Sequence, residues 1–193
     1  LTNNARFPDK PNGREFPISF ECLTTNWADN YGTRVTGFLV PPTNGLYRLA
    51  VSASDTAQLF LSAGTNAALK QLVASVPAAT AFREFTRFTN QVSPPLSLAS
   101  TQRCYLELLH KAGTGNDHFS VAWQPPGATD FAILPADVLV PAGLDRTPPA
   151  QAQMLATLTG SHPRVLASEA KFAWLKQTLV AGSGKIRMRS SSQ

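Results

Sequence analysis

Charged residues and cysteines are scarce in this sequence. Only 15% of the 193 residues are Asp, Glu, Lys or Arg, and two are cysteine. Two cysteines are too few for a disulfide scaffold, and Cys22 and Cys104 lack the CxxC spacing of zinc and redox sites. In an exported protein they could join two distant strands; otherwise they are two small buried side chains. The sequence leaves both alternatives open.

Long hydrophobic runs are absent as well. No stretch approaches the roughly 18 uninterrupted apolar residues of a membrane-spanning helix, so we expect no membrane span. Hydrophobic residues nevertheless make up 43% of the chain, which is enough for a core and excludes wholesale disorder. The chain begins at Leu1 without a signal-peptide pattern, and we expect it to be a piece of a longer or processed protein.

A basic surface is also missing from most of the chain. Residues 1–160 contain 11 basic and 11 acidic side chains. Residues 161–193 contain six basic and one acidic side chain, and they supply the whole net charge of +5. Proteins that bind nucleic acid need positive charge across their folded surface. The sequence therefore predicts no nucleic-acid partner.

The first two-thirds of the chain has the pattern of β structure. Apolar and polar residues alternate in short segments, and Pro41-Pro42 and Asn44-Gly45 are typical turn positions. No segment between them has a helical period, so strands alternating with helices are not expected. The sequence predicts an all-β, antiparallel barrel or sandwich. Its clearest strands lie at residues 35–40, 46–52, 59–61, 104–110 and 119–123.

Composition changes after residue 141. Residues 142–160 are rich in Ala, Pro, Thr and Gln, as linkers are, and residues 161–193 include apolar residues at helical spacing. We predict a β-barrel domain over residues 1–141 and a linker over residues 142–160. Residues 161–193 would be the truncated start of a helical domain, with a short helix, or else a basic tail.

No complete catalytic or nucleotide-binding motif is present. GSGK at residues 182–185 is followed by Ile186, where a phosphate-binding loop needs Ser or Thr, and HExxH and GxSxG are absent. Glu84 and Glu107 could suggest a glycosidase pair, but nearby arginines favour charge pairing on a sheet surface. The sequence predicts no enzymatic activity for this chain. It leaves open whether the full-length parent is an enzyme.

Three loops are rich in oxygen-bearing side chains. Asp55 follows a predicted strand, Asn116 and Asp117 join two later strands, and Trp27 and Tyr31 stand beside Asn and Asp residues. Sugars are bound by acids, amides and a flat aromatic face, so these five residues are candidates for carbohydrate binding. Calcium needs about six to eight oxygen donors, which makes Asp55, Asn116 and Asp117 candidate calcium ligands. The alternative is that Asp and Asn occupy these positions because they favour turns.

Several separate motifs resemble a known family. NWADNYGTRVTG at 26–37, PPTNGLY at 41–47 and ASDTAQLFLS at 53–62 resemble the anthrax protective antigen domain superfamily. Other motifs resemble a bacterial branch of that superfamily, namely FREFT at 82–86, QVSP at 91–94, QRCYLELLHK at 102–111 and DHFSVAWQPPG at 117–127. The likeness extends over about residues 15 to 141, with the motifs in the correct order.

This resemblance implies a β-barrel of an exported or surface protein with a carbohydrate-binding role. In sugar-binding members, two consecutive aspartates hold calcium, which in turn holds sugar hydroxyls. Asp55 matches the second aspartate, but Ser54 stands at the first, while Asn116 and Asp117 match the second loop in position. Because affinity for divalent ions follows ligand charge, Ser54 should weaken a calcium site. Calcium as a cofactor is therefore an open question from the sequence.

A shorter likeness begins at residue 162. HPRVL at 162–166 and FAWLK at 172–176 are similar to the opening of heparinase II/III-type and alginate-type polysaccharide lyases. We therefore expect a non-catalytic, carbohydrate-binding accessory module of an exported bacterial protein, attached to a polysaccharide-degrading enzyme. Its partner would be a polysaccharide or glycan. The alternative is a protein-interaction or structural surface barrel that has lost calcium-dependent sugar binding.

Overall fold

The computed structural model describes residues 2–8, 10–14, 17 and 19–142. These residues form two antiparallel β-sheets that share one core, with short 3-10 helices between some strands. The predicted all-β, antiparallel fold is confirmed, in its sandwich form. The linker predicted over 142–160 and the helix and lyase-like motifs within 161–193 lie outside the described residues, except for Ala142.

Ten strands build the two sheets in the described part of the chain. They are β1 (Glu21–Thr25), β2 (Gly32–Leu39), β3 (Gly45–Ala53), β4 (Thr56–Leu61), β5 (Gln71–Val76), β6 (Leu96–Leu98), β7 (Cys104–Lys111), β8 (Asp117–Gln124), β9 (Ala132–Ile133) and β10 (Leu139–Pro141). The first sheet has the order β1-β8-β3-β6, with β9 paired to β8. The second sheet has the order β10-β2-β7-β4-β5.

The turn before β3 depends on a glycine. Gly45 has a φ of 152°, and a Cβ added to it would lie 2.5 Å from Cγ of Pro126. Contacts that short do not occur between real side chains, so only glycine fits at this close approach. The Asn44-Gly45 turn predicted from the sequence therefore has a packing reason as well as a conformational one.

The core lies between the two sheets. Tyr47, Leu49 and Val51 alternate along β3 and are fully buried on one face, as predicted. Fully burying a side chain of this size stabilises the fold by about 1.5–3 kcal/mol. The second sheet contributes further fully buried side chains, among them Leu39, Leu59, Leu106 and Leu108.

Side chains, rather than another full strand, cover much of the free edge of β3. The segment between β5 and β6 runs beside this edge. Its side chains form hydrogen bonds with backbone groups of β3 that β6 does not reach. The bonds join Leu49 to Ser93, Val51 to Gln91 and Ala53 to Thr80. An open strand edge is a template for unwanted pairing with other chains, so this cover protects the sheet.

The outward face of the second sheet holds a buried ion-pair cluster. Glu107 of β7 is 0% exposed, and it forms salt bridges with Arg34 of β2 and with Lys70, while the Tyr105 hydroxyl donates to its Oε2 at 2.7 Å. Glu84, by contrast, lies in a turn between β5 and β6. The prediction that both glutamates sit in strands and pair with arginines on a sheet surface therefore holds for Glu107 in its strand and its arginine partner, although the side chain is buried and Arg34 is distant in sequence. It is wrong for Glu84, which lies outside the strands.

Two further findings concern the cysteines and the length of the helices. Cys22 and Cys104 lie in β1 and β7, which belong to different sheets, and they do not form a disulfide with each other. Among the described residues, no helix has the length and hydropathy needed to cross a membrane.

Candidate functional site

Three loops meet at one end of the sandwich. At this end Gly32 and Thr56 both pair with Lys111, and Thr25 pairs with Asp117, so the loops between these strands are neighbours. These are the three loops in which the sequence predicted binding residues. We call them together the loop rim, which comprises residues 26–31, 54–55 and 112–116.

Asp55 connects two of these loops directly. Its Oδ2 accepts a hydrogen bond of 2.7 Å from the backbone amide of Gly113. The carbonyl of Gly113 in turn accepts a hydrogen bond of 2.6 Å from the amide of Asn30 in the third loop. Asn30 has a φ of 54°, a left-handed conformation that asparagine adopts more readily than most residues. A continuous chain of hydrogen bonds therefore crosses the loop rim.

Two further hydrogen bonds join the loop between β1 and β2 to the loop between β7 and β8. The amide of Ala112 donates to the carbonyl of Tyr31 at 2.9 Å, and the amide of Gly115 donates to Oδ1 of Asp29 at 3.3 Å. Both bonds use backbone groups of the 112–117 loop. The position of that loop is consequently set by its neighbours on both sides.

Trp27 and Tyr31 give the loop rim an aromatic surface. Trp27 is 67% exposed, which is unusual for so large an apolar side chain, and its ring meets Tyr31 edge to face with centroids 4.9 Å apart. Tyr31 is half-buried behind it. Most of the Trp27 side chain is thus open to solvent at the rim, and Asn116 is exposed in the neighbouring loop.

Asp117 lies below the rim and differs from the other predicted residues. It is 1% exposed, and neither of its carboxylate oxygens has a hydrogen-bond partner among the described residues. Burial, together with the nearby Asp117 charge, raises the pKa of Tyr31 to about 12. The Asp117 carboxylate therefore lies close to the Tyr31 phenol.

Two buried histidines under the rim were not predicted as site residues. Nε2 of His110 lies 3.5 Å from Oγ of Ser54, and its Nδ1 has no partner in the described part of the chain. Burial lowers the pKa of His110 to about 4, although the charge of Asp55 opposes this shift. Burial also lowers the pKa of His118. Both rings are consequently neutral at pH 7, and the floor of the rim carries no positive charge from them.

Phe82 is a second exposed aromatic side chain near the rim that the sequence did not indicate as a site residue. It is 37% exposed, and its ring meets that of His118 edge to face with centroids 5.6 Å apart. The carbonyl of His118 accepts a hydrogen bond from the amide of Ser54, so Phe82 flanks the rim on the side of β3. Only its position in a family-like motif, FREFT, could have drawn attention to it.

The donor set at the rim does not fit calcium. The Ser54 hydroxyl is turned toward His110, one oxygen of Asp55 already accepts an amide hydrogen bond, and Asp117 is buried beside Tyr31. The described residues contain no group of three or more His, Cys, Asp or Glu side chains that could hold a metal ion. Calcium needs about six to eight oxygen ligands with enough negative charge, whereas here one oxygen of Asp55 is engaged and Asp117 is buried.

Comparison with known proteins gives partial matches. No protein-family model matches the chain. The chain is similar to N-acetyl-beta-glucosaminyl-glycoprotein 4-beta-N-acetylgalactosaminyltransferase 1 of Mus musculus, with 37% identity over 129 residues. This match covers 64% of the chain but only 12% of the mouse enzyme, so the chain spans a small part of the curated relative it matches.

Three solved structures resemble this chain over part of their own length. An anti-sigma factor domain-containing protein from Clostridium clariflavum has a TM-score of 0.44 and 25% identity, over 57% of this chain and 33% of that one. The A domain of epithelial adhesin 6 from Candida glabrata, in complex with Galb1-3GlcNAc, has a TM-score of 0.46 and 13% identity, over 58% and 51%. A PA14 sugar-binding domain from an RTX adhesin has a TM-score of 0.44 and 16% identity, over 60% and 56%.

Proposed function

We propose that this chain is a carbohydrate-binding module without catalytic activity of its own, and that the loop rim is its glycan-binding surface. The observation that carries this proposal is the mostly exposed Trp27 ring, which packs perpendicular to the Tyr31 ring beside loops rich in polar groups. Sugar rings have one apolar face that stacks on an aromatic ring and a rim of hydroxyls that need hydrogen-bond partners. Both kinds of group stand side by side here.

The proposed contacts divide between the rings and the polar side chains. Trp27 and Tyr31 offer the stacking surface, and Asn116 offers an amide that can both donate and accept. Asp55 and Asp117 are the acidic members of the proposed site. Asp55 keeps one carboxylate oxygen outside its hydrogen bond to Gly113, whereas Asp117 acts from below the rim.

The surrounding protein is proposed to be an exported bacterial enzyme that degrades polysaccharide. The lyase-like motifs at 162–166 and 172–176 support this context. The similarity to a mouse enzyme whose name describes transfer of N-acetylgalactosamine to a glycoprotein glycan also supports a role in a protein that handles glycans. The module would then bring the parent to its polysaccharide rather than act on it.

A glycan array tests this proposal directly. Trp27→Ala should bind glycan more weakly than the wild-type chain. Its melting temperature should be unchanged, since Trp27 is mostly exposed. Leu46→Ala is the matched control, because Leu46 is 62% exposed at the opposite end of β3 from the loop rim. If the wild-type chain binds no glycan, with or without calcium, the proposed function is wrong.

The second candidate function is a protein-interaction or structural module that has lost sugar binding. Two exposed leucines favour it, Leu69 before the edge strand β5 and Leu72 within it, at 67% and 51% exposure. Exposed apolar groups on a sheet edge are typical of surfaces that pair with another protein. This candidate predicts that the glycan array stays empty and that Leu72→Lys changes association with the natural partner.

A further inference from the structure

We propose that Asp55 is a positioning residue, whose carboxylate fixes the 112–117 loop by accepting the Gly113 amide, and that the loop rim takes its ligand without calcium. The part of this inference that concerns glycan rests on the proposed function. The part that concerns the loop and the metal does not. It assigns Asp55 a different role from the metal ligand that its position in the sequence suggests.

The first observation is the bond itself. The Gly113 amide lies 2.7 Å from Oδ2 of Asp55, and Asp55 is half-buried. Hydrogen bonds from an amide to an ionised carboxylate are shorter and about twice as strong as those between neutral groups. The amide proton also places positive charge next to this oxygen, where a cation bound at the same position would be repelled.

The second observation is that the chain is built to permit this approach. A Cβ added to Gly113 would lie 3.1 Å and 3.3 Å from the two carboxylate oxygens of Asp55. Such contacts are tighter than nine in ten real Cβ contacts, so with a side chain at position 113 the Asp55 carboxylate would have to move by a few tenths of an ångström. Glycine at this position therefore permits the close approach without that movement.

The third observation links Asp55 to the aromatic surface. The Gly113 carbonyl accepts the Asn30 amide at 2.6 Å, and Ala112 donates to the carbonyl of Tyr31. Trp27 in turn packs on the Tyr31 ring. Loss of the Asp55 bond would free one side of the 112–117 loop, and the loop would then hold the Trp27 surface less firmly.

The fourth observation concerns charge. The neighbouring position holds Ser54, whose hydroxyl faces the neutral His110, so Asp55 contributes the only carboxylate at this loop. Affinity for calcium falls with the number of charged ligands. A single carboxylate at positions 54 and 55, already hydrogen-bonded, is a weaker anchor for the ion than two adjacent carboxylates, but it is well suited to holding a loop.

Two substitutions at the same position separate the roles. Asp55→Asn keeps an oxygen that can accept the Gly113 amide and removes the charge that calcium requires, whereas Asp55→Ala removes both. We expect hydrogen exchange at the Gly113 amide to be about tenfold faster in Asp55→Ala and nearly unchanged in Asp55→Asn. Glycan binding should be weaker in Asp55→Ala than in Asp55→Asn, because only Asp55→Ala frees the 112–117 loop.

Melting of the wild-type chain with millimolar calcium and with a chelator completes the test. The inference expects the same melting temperature in both. It is overturned if calcium raises the melting temperature of the wild type but not of Asp55→Asn, or if Asp55→Asn frees the Gly113 amide as fully as Asp55→Ala. If the wild type binds no glycan, the proposed function fails, while amide exchange and melting still decide the role of Asp55.

Discussion

The Thr80 hydroxyl forms two hydrogen bonds with the backbone of Ala53, accepting from its amide at 3.1 Å and donating to its carbonyl at 3.2 Å. The Thr80 amide donates to the same carbonyl at 2.9 Å. Thr80 thus replaces a neighbouring strand at the last residue of β3, directly before the loop rim. It connects the cover of the sheet edge to the position of Ser54 and Asp55.

Removing this hydroxyl should therefore destabilise the domain. In Thr80→Val the shape of the side chain is kept, but the buried Ala53 amide loses its partner, which costs about 1–3 kcal/mol. Urea unfolding measures the loss. Thr86→Val in the same segment is the control, because Thr86 is exposed and should change stability by less than about 0.5 kcal/mol. Equal effects of the two substitutions would show that the edge cover is unimportant.

Sequence reasoning finds the strands that carry many buried apolar residues and misses those whose apolar residues are exposed. β3 was predicted because Tyr47, Leu49 and Val51 alternate with less apolar residues on a buried strand. β1 and β5 were missed because they are edge strands with exposed leucines, Leu23 and Leu72, and so lack a clean pattern. The very short strands β6, β9 and β10 depend on tertiary pairing alone.

The site shows the same division. The meeting of three loops could be predicted only on the assumption of a barrel or sandwich, because each loop crosses from one sheet to the other at the same end. The bond from Gly113 to Asp55 could not, because it depends on the exact path of a glycine-rich loop. The burial of Glu107 could not be foreseen either, since Arg34 and Lys70 come from distant parts of the chain.

The Glu107 cluster predicts a pH-dependent stability difference. Burial alone would raise the pKa of Glu107, but hydrogen bonds from Lys70, Tyr105 and Arg34 outweigh it and hold the pKa below 4.5. A carboxyl group with a lowered pKa stabilises the fold above its ordinary pKa, and this stabilisation is lost as the pH falls through the lowered value.

Glu107→Gln should therefore cost about 1–3 kcal/mol at pH 7, because it removes the charge that Arg34 and Lys70 bind. The difference from wild type should shrink in acid, which unfolding curves at several pH values measure. Glu84→Gln is the control, since its side chain accepts only the exposed Ala81 amide and glutamine can do the same. A difference that does not change with pH would contradict this explanation.

His110 predicts a loss of stability in a higher pH range. Its pKa falls from 6.5 to about 4 on folding, so the unfolded chain binds more protons between these values and stability decreases as the pH falls through this range. The full effect is about 3 kcal/mol. Asp55 and His118 are the titratable groups acting on it. In His110→Leu, stability measured by urea unfolding should vary less over this range, and parallel curves for the two proteins would contradict the prediction.

Phe82 should contribute to glycan binding if it forms the second aromatic flank of the loop rim. Its ring is partly exposed and is held between His118 and the Arg83 guanidinium, which lies 4.9 Å from the ring centroid. Phe82→Ala should weaken binding about 2- to 10-fold, as the loss of one aromatic contact does. Titration with a glycan found on the array measures this. Leu69→Ala, another exposed apolar residue, should leave the affinity unchanged.

Asp117 should lower the stability of the unliganded domain, because its charge is buried without a hydrogen-bond partner in the described part of the chain. Asp117→Asn keeps the shape and replaces the charge with a neutral amide, which costs less to bury, so the melting temperature at pH 7 should rise. Ser120→Ala, in the same strand, is a control that removes a polar group already paired with Glu21. A lower melting temperature for Asp117→Asn would show instead that a bound group interacts with the carboxylate. The melting temperature of the wild type with a chelator would then distinguish an ion from a water molecule.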